Sequence, residues 1–378
     1  MKFLSAIIAL VLLIGSPLPV IYLSGEPLGK YLVFPPVTTY PAIDHAPFSW
    51  LAFFLMLLLI LLVITPFLIK IFTSGGIDPG KSDPGKSDQK SGTASHRFPA
   101  WGWMGLAIMA AGWTLAWTRF PCFSQLQTHT FTIPWIGYII LVNAFTLKRT
   151  GRSLLTHEPL YFVCLFIFSA FFWWYFEYLN QFVVNWYYIN VETLGRFEFF
   201  MYATLPFATV LPAVMSTFNL LKTFPGLSRG LDKYISIPLS NSRSLAISAM
   251  LIAAAALSVT GIWPDYLYPM LWLAPLVILT AAMVIAGVQT VFRGISKGDW
   301  TTVYLLALSA LVCGFFWEMW NFYSLTRWEY AVPFVGRFRI FEMPVLGYAG
   351  YLPFGLQCGL MALLVKHILD PVSGQTTP

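Results

Sequence analysis

Long apolar runs, broken by short polar ones, dominate the chain. Ten runs approach the roughly 20 residues that a helix needs to cross a bilayer. They lie near 3–22, 48–72, 99–118, 132–147, 158–178, 197–222, 246–263, 267–292, 301–320 and 340–366. Their apolar character is continuous rather than alternating. The expected fold class is therefore all-α: a polytopic membrane protein of about ten transmembrane helices. The first run has only Lys2 before it, and Ser16-Pro17-Leu18 makes a poor cleavage site, so it reads as a retained helix. Runs 197–222 and 340–366 carry an ionisable residue near their start and contain proline, so bends are expected there.

Composition agrees. Hydrophobic residues make up 58% and charged residues 10% of the 378 positions, against about 25% charged in soluble domains. The net charge of +6 reads as loop charge that sets orientation and not as a nucleic-acid footprint. With the N-terminus inside, sixteen of the 22 Lys and Arg residues fall on inner segments, and Lys30, Arg119, Arg196, Arg327, Arg337 and Arg339 on outer ones. Both termini are then cytoplasmic, and so many helices imply an inner or plasma membrane. The four cysteines and five histidines are dispersed, without CxxC, HxxxH or HExxH. No metal or cofactor is expected.

The same pattern divides the chain. Residues 1–72 form two N-terminal helices around an outer loop, with Asp44 and His45 placed to reach the outer face. Residues 73–98, with the tandem DPGKS at 78–82 and 83–87, form a Gly/Pro/Ser-rich cytoplasmic linker. Two tandem four-helix repeats follow at 99–222 and 246–366, joined by a loop at 223–245 and ending in a tail at 367–378. The stretch LKRTGRS at 147–153 is an inner basic loop that a lipid head group would suit.

The repeat rests on residues met in the same order. Glu177, Asn180, Trp186, Tyr188, Arg196 and Glu198 of the first copy match Glu318, Asn321, Trp328, Tyr330, Arg337 and Glu342 of the second. Leu205-Pro206-Phe207 then matches Leu352-Pro353-Phe354. Four helices per copy make the copies parallel, with an axis along the bilayer normal. Glu177 and Glu318 close helices among aromatic rings, Trp317 and Trp320 flanking the second, where burial and the helix dipole both disfavour a charged carboxylate. Glu198 and Glu342 are placed at the start of the next helices, where the dipole favours the charged form. The i, i+3 spacing lets Asn180 and Asn321 bond their glutamates. Carboxyls in opposed environments are an acid/base signature, and ionisable groups at the membrane boundary point to function. Aromatic belts with solvated glutamates would give the same composition without chemistry.

This order, an acid and asparagine, a later Trp-x-Tyr, a glycine loop and a carboxylate before an apolar helix, resembles the integral-membrane lycopene cyclase domain family. The likeness covers roughly 160–214 and 300–360. One Glu stands where that family often has two. Pro344 follows the acid of the second copy instead of preceding it, and the first copy has no proline there. The resemblance implies acid/base cyclisation of a carotenoid-like polyene without redox change. Its site would comprise the matched glutamates, with the asparagines, Trp and Tyr lining the substrate. The chain thus reads as a membrane enzyme acting on an isoprenoid or other lipid. The competing readings are a transporter or channel with carboxylates at a two-fold repeat, and a non-catalytic module that assists a partner complex. Transport is disfavoured because the acids sit at one interface and not at mid-membrane.

Overall fold

The computed structural model describes residues 2–36, 44–74, 96–238 and 242–370. Most of the 73–98 linker, with both DPGKS copies, lies outside the described residues, as does much of the 367–378 tail. Helices α1 (Lys2–Gly15), α2 (Pro17–Leu23) and α3 (Trp50–Thr73) precede α4 (Ala100–Trp117), α5 (Thr132–Thr150), the single turn α6 (Leu154–His157), α7 (Pro159–Val183), α8 (Arg196–Ala208) and α9 (Val210–Leu221). After them come α10 (Arg243–Val259), the short α11 (Pro264–Leu267), α12 (Met270–Ala286), α13 (Thr301–Phe322) and α14 (Tyr351–Leu369). Helix makes up 72% and strand 4% of the structure, so the fold is a helical bundle with small strand inserts.

Among the described residues, seven segments are long and apolar enough to cross a membrane: Leu4–Leu23, Trp50–Thr73, Leu126–Thr150, Pro159–Val183, Arg196–Leu221, Thr301–Phe322 and Val345–Leu369. The runs at 246–263 and 267–292 form the shorter apolar helices α10 and α12. Gly287, left-handed at φ 68°, stops α12 before its apolar run ends.

Proline sets the breaks. The first run divides at Ser16-Pro17. The run at 197–222 divides at Thr209, whose N–H bonds the Pro206 carbonyl at 3.0 Å. Ser169 of α7 bridges that break: its hydroxyl donates to the Phe207 carbonyl at 2.6 Å and accepts from the Leu211 N–H at 3.0 Å. Backbone groups freed within an apolar bundle need such partners.

α4 lies on α5 as α10 lies on α12, α5 touches α9 as α12 touches α14, and α7 packs on α9 as α13 packs on α14. Across the middle, α9 meets α13 and α14 meets α7. Close approach requires glycine at two of these crossings. A Cβ on Gly137 would overlap the Met109 backbone, and one on Gly355 would overlap the Leu306 carbonyl.

Four short segments expected to be loop or helix are strands. β1 (Trp186–Ile189) and β2 (Arg327–Tyr330) pair antiparallel. β3 (Arg339–Ile340) and β4 (Met343–Pro344) make a tight hairpin. The run predicted as a helix from 340 therefore starts α14 only at Tyr351. Phe338 and Phe341 take positive φ of 56° and 55°, which no helix accommodates.

Candidate functional site

Each motif glutamate lies near the end of a long helix, and the strand that follows folds back over it. Glu177 is 1% exposed and Glu318 is fully buried. Glu177 Oε1 accepts from Trp173 Nε1 at 2.9 Å, Trp186 Nε1 at 3.1 Å and Tyr188 Oη at 2.6 Å. Glu318 Oε1 accepts from Tyr330 Oη and Tyr351 Oη, both at 2.7 Å. Trp328 Nε1 reaches that carboxyl indirectly, donating to Tyr330 Oη at 2.8 Å. Glu318 Oε2 is buried without a hydrogen-bond partner among the described residues. Burial first, and then the adjacent carboxyl, hold the Tyr188 and Tyr330 hydroxyls well above the usual tyrosine range, so both remain O–H donors.

Contrary to the expectation from the i, i+3 spacing, the asparagines do not bond their glutamates. Asn180 Nδ2 donates to the Trp186 carbonyl at 2.7 Å, and its Oδ1 accepts from the Asn185 N–H at 2.9 Å. Asn321 Nδ2 donates to the Trp328 carbonyl at 2.7 Å, and its Oδ1 accepts from the Trp328 N–H at 2.9 Å. Each amide staples the strand to its helix end and so delivers the strand's tyrosine to the carboxyl. Satisfying a buried backbone pair competes well with bonding a side chain one helical turn away.

The other motif residues separate. Glu198 is exposed in the first turn of α8 and accepts from the Gly195 N–H at 3.4 Å. Glu342 sits in the β3–β4 turn, well before α14 begins at Tyr351, and pairs with Arg339 at 3.5 Å. Burial, then Glu329, raise its pKa, while Arg339 and Arg327 oppose them. Arg196 is exposed, and Arg337 lies over the Phe48 ring at 4.5 Å. Trp317 stacks on Tyr351 at 5.9 Å and so borders the Glu318 site. Trp320 turns away, edge-on to Trp135 at 4.8 Å.

Trp173, Tyr351 and Glu329 belong to the site but were not read from the sequence. Trp173 had a signal: it stands one helical turn before Glu177. Tyr351 had none, because only the packing of α14 on α13 brings it to Glu318. His45 does reach the motif end of the bundle. Its Nδ1 lies 2.6 Å from Asp265 Oδ1 and its Nε2 3.3 Å from the Val184 carbonyl that closes α7.

An aromatic bridge joins the two acids, with Trp173 and Trp317 6.5 Å apart and Phe354 against both. A cavity of about 300 Å³ opens beside them, lined by His129, Phe131, Tyr202, Leu205 and others. Neither glutamate lines it. Its wall residue Phe131 meets Trp328 edge-on at 5.1 Å, and Tyr202 Oη hydrogen-bonds Thr326 Oγ1 just before β2. Among the described residues no His, Cys, Asp and Glu group could hold a metal ion. No family model matches the sequence, and neither curated proteins nor solved structures show a significant likeness to it.

Proposed function

We propose that this protein is an integral-membrane enzyme that isomerises or cyclises an isoprenoid or similar unsaturated lipid by proton transfer, with Glu318 as the acid. One observation carries the reading. Glu318 Oε2 is a buried polar atom without a partner, while Oε1 is gripped by two tyrosine hydroxyls. A buried polar group left unpaired carries a penalty of about 1–3 kcal/mol, and a catalytic role is one of the uses that sustains it.

In the reaction, Oε2–H adds its proton to one alkene carbon, so a C–H bond forms as the π bond opens. The cation so formed is held by the ring faces of Trp317 and Tyr351. The carboxylate left behind is steadied by Tyr330 and Tyr351 and takes a proton from a neighbouring carbon. A double bond forms at a new place and the acid is restored, with no net oxidation. Glu177 serves as the counterpart that positions β1, with Glu198 and Glu342 on the rim. The 300 Å³ cavity between α5 and α8, at the small end of ligand-pocket volumes, is the approach from lipid, with Glu318 behind the Phe131–Trp328 contact that forms its wall. The likeness to the lycopene cyclase domain favours a carotenoid-like polyene.

The architecture in this reading is ten membrane crossings in two parallel four-helix units about an axis along the bilayer normal. The matched helix contacts support it, as does the strand pair, whose register exchanges Trp186 with Trp328 and Tyr188 with Tyr330 by a local two-fold. The basic-residue bias supports cytoplasmic termini in an inner or plasma membrane. Thr193→Cys, on the outer turn, should then react with an impermeant thiol reagent in intact cells.

The test is expression in cells that accumulate linear polyenes, with mass spectrometry of extracted lipids. Wild type should convert a polyene and Glu318→Gln should lose about 100- to 10,000-fold in rate while staying folded. Full turnover by Glu318→Gln overturns the reading.

A further inference from the structure

Phe131, at the start of α5, meets the Trp328 ring of the glutamate site. The other end of α5 lies about 27 Å along the helix axis. There a second cavity, of about 420 Å³, is lined by Phe145, Lys148, Arg149, Leu220 and Phe224. The lining is almost wholly apolar, with Lys148 and Arg149 contributing carbon surface of their long side chains beside the three hydrophobic residues, and no acidic residue takes part. The cavity lies between the ends of two candidate membrane spans, those closing at Thr150 and Leu221, and so at bilayer-interface depth.

Its arginine is held ready. Arg149 Nε donates to Thr223 Oγ1 at 2.6 Å and Nη2 to the Thr223 carbonyl at 2.8 Å. The guanidinium lies 3.8 Å over the Phe224 ring. These contacts fix the plane of the fork and leave the Nη1 donors for an anion. Lys148 adds a second charge on the same rim. Phe145 and Phe224, 42% and 39% exposed, offer apolar surface below the cations.

We infer that this cavity binds one anionic glycerophospholipid, its phosphate on Lys148 and Arg149 and an acyl chain against Phe145, Leu220 and Phe224. Charge-assisted bonds to phosphate favour a rigid arginine fork, and the apolar walls favour a lipid over a free ion. The site is independent of the acid/base reading and would stand if that failed.

The test uses the full-length protein in nanodiscs of phosphatidylcholine, with or without added phosphatidylglycerol. Native mass spectrometry should show one phosphatidylglycerol retained in preference to phosphatidylcholine, with thermal stability rising as phosphatidylglycerol is added. Lys148→Gln should weaken that retention about fivefold, the loss expected for one interfacial cation, and Lys148→Arg should restore it. Arg149→Lys keeps the charge but loses the fork, and should weaken retention while leaving the circular dichroism unchanged. Millimolar inorganic phosphate should not displace the lipid. Equal retention of the two lipids, indifference to Lys148→Gln, or displacement by phosphate would each overturn the proposal.

Discussion

Tyr187 and Glu329 face one another at the centre of the β1–β2 pair, and Tyr187 Oη donates to Glu329 Oε2 at 3.1 Å. On one side of them Trp186 opposes Tyr330, and on the other Tyr188 opposes Trp328. The two strands thus interleave the aromatic partners of both glutamates. Each glutamate takes its hydrogen-bond partners from its own half of the chain, but the strand that carries them is paired with the strand of the other half. Damage to one strand should therefore be felt at both carboxyls.

Glu177 is the more heavily caged acid. Glu177→Gln keeps an acceptor for Trp173, Trp186 and Tyr188, whereas Glu177→Leu leaves three buried donors unpaired. The second variant should lie several kcal/mol below the first, at about 1–3 kcal/mol per lost partner. Thermal unfolding in detergent measures the difference. Equal stability would show that these donors find other partners.

Asn321 and Asn180 hold strands rather than carboxyls. Asn321→Ala should destabilise by about 1–3 kcal/mol through the unpaired Trp328 backbone. Asn321→Asp retains an acceptor for the Trp328 N–H but not the donor to its carbonyl, and should fall between. A loss of turnover in Asn321→Ala without loss of stability would contradict the staple.

Glu342 predicts a pH dependence. Its folded pKa is raised above 4.5 by burial and by Glu329, so the folded state binds more protons than the unfolded state just above that pH. Stability contributed by this group is then greatest below pH 4.5 and falls as pH rises toward the folded value. Glu342→Gln should flatten that part of the melting-temperature profile. An unchanged slope would remove Glu342 as its source.

Gly355 sets the approach of α14 to α13. Gly355→Ala should destabilise by about 1–3 kcal/mol, because the new methyl meets the Leu306 carbonyl. Gly226→Ala, with nothing within 4 Å of the new atom, is the control. Similar melting temperatures for the two would mean the helices shift freely.

Hydrophobic periodicity and length are local properties, and they were enough for the helical class, for candidate spans, and for the break near Pro206, whereas the break at Pro17 was not expected. The recurrence of Glu, Asn, Trp and Tyr also singled out residues that the fold brings into contact, because order along a chain survives without knowledge of the fold. What those residues bond was decided only in three dimensions. The spacing of Glu177 and Asn180 places both on one helix face, but the strand returning from the other side takes the amide for its backbone. Trp-x-Tyr carries no strand signal by itself: β1 exists because β2, about 140 residues later, supplies its missing hydrogen bonds. The helix expected from 340 yields to a hairpin because Phe338 and Phe341 adopt backbone angles that contacts across the bundle impose. Tyr351 becomes a partner of Glu318 only through the close packing of α14, which Gly355 permits. Such pairings depend on contacts between distant segments, and no local pattern encodes them.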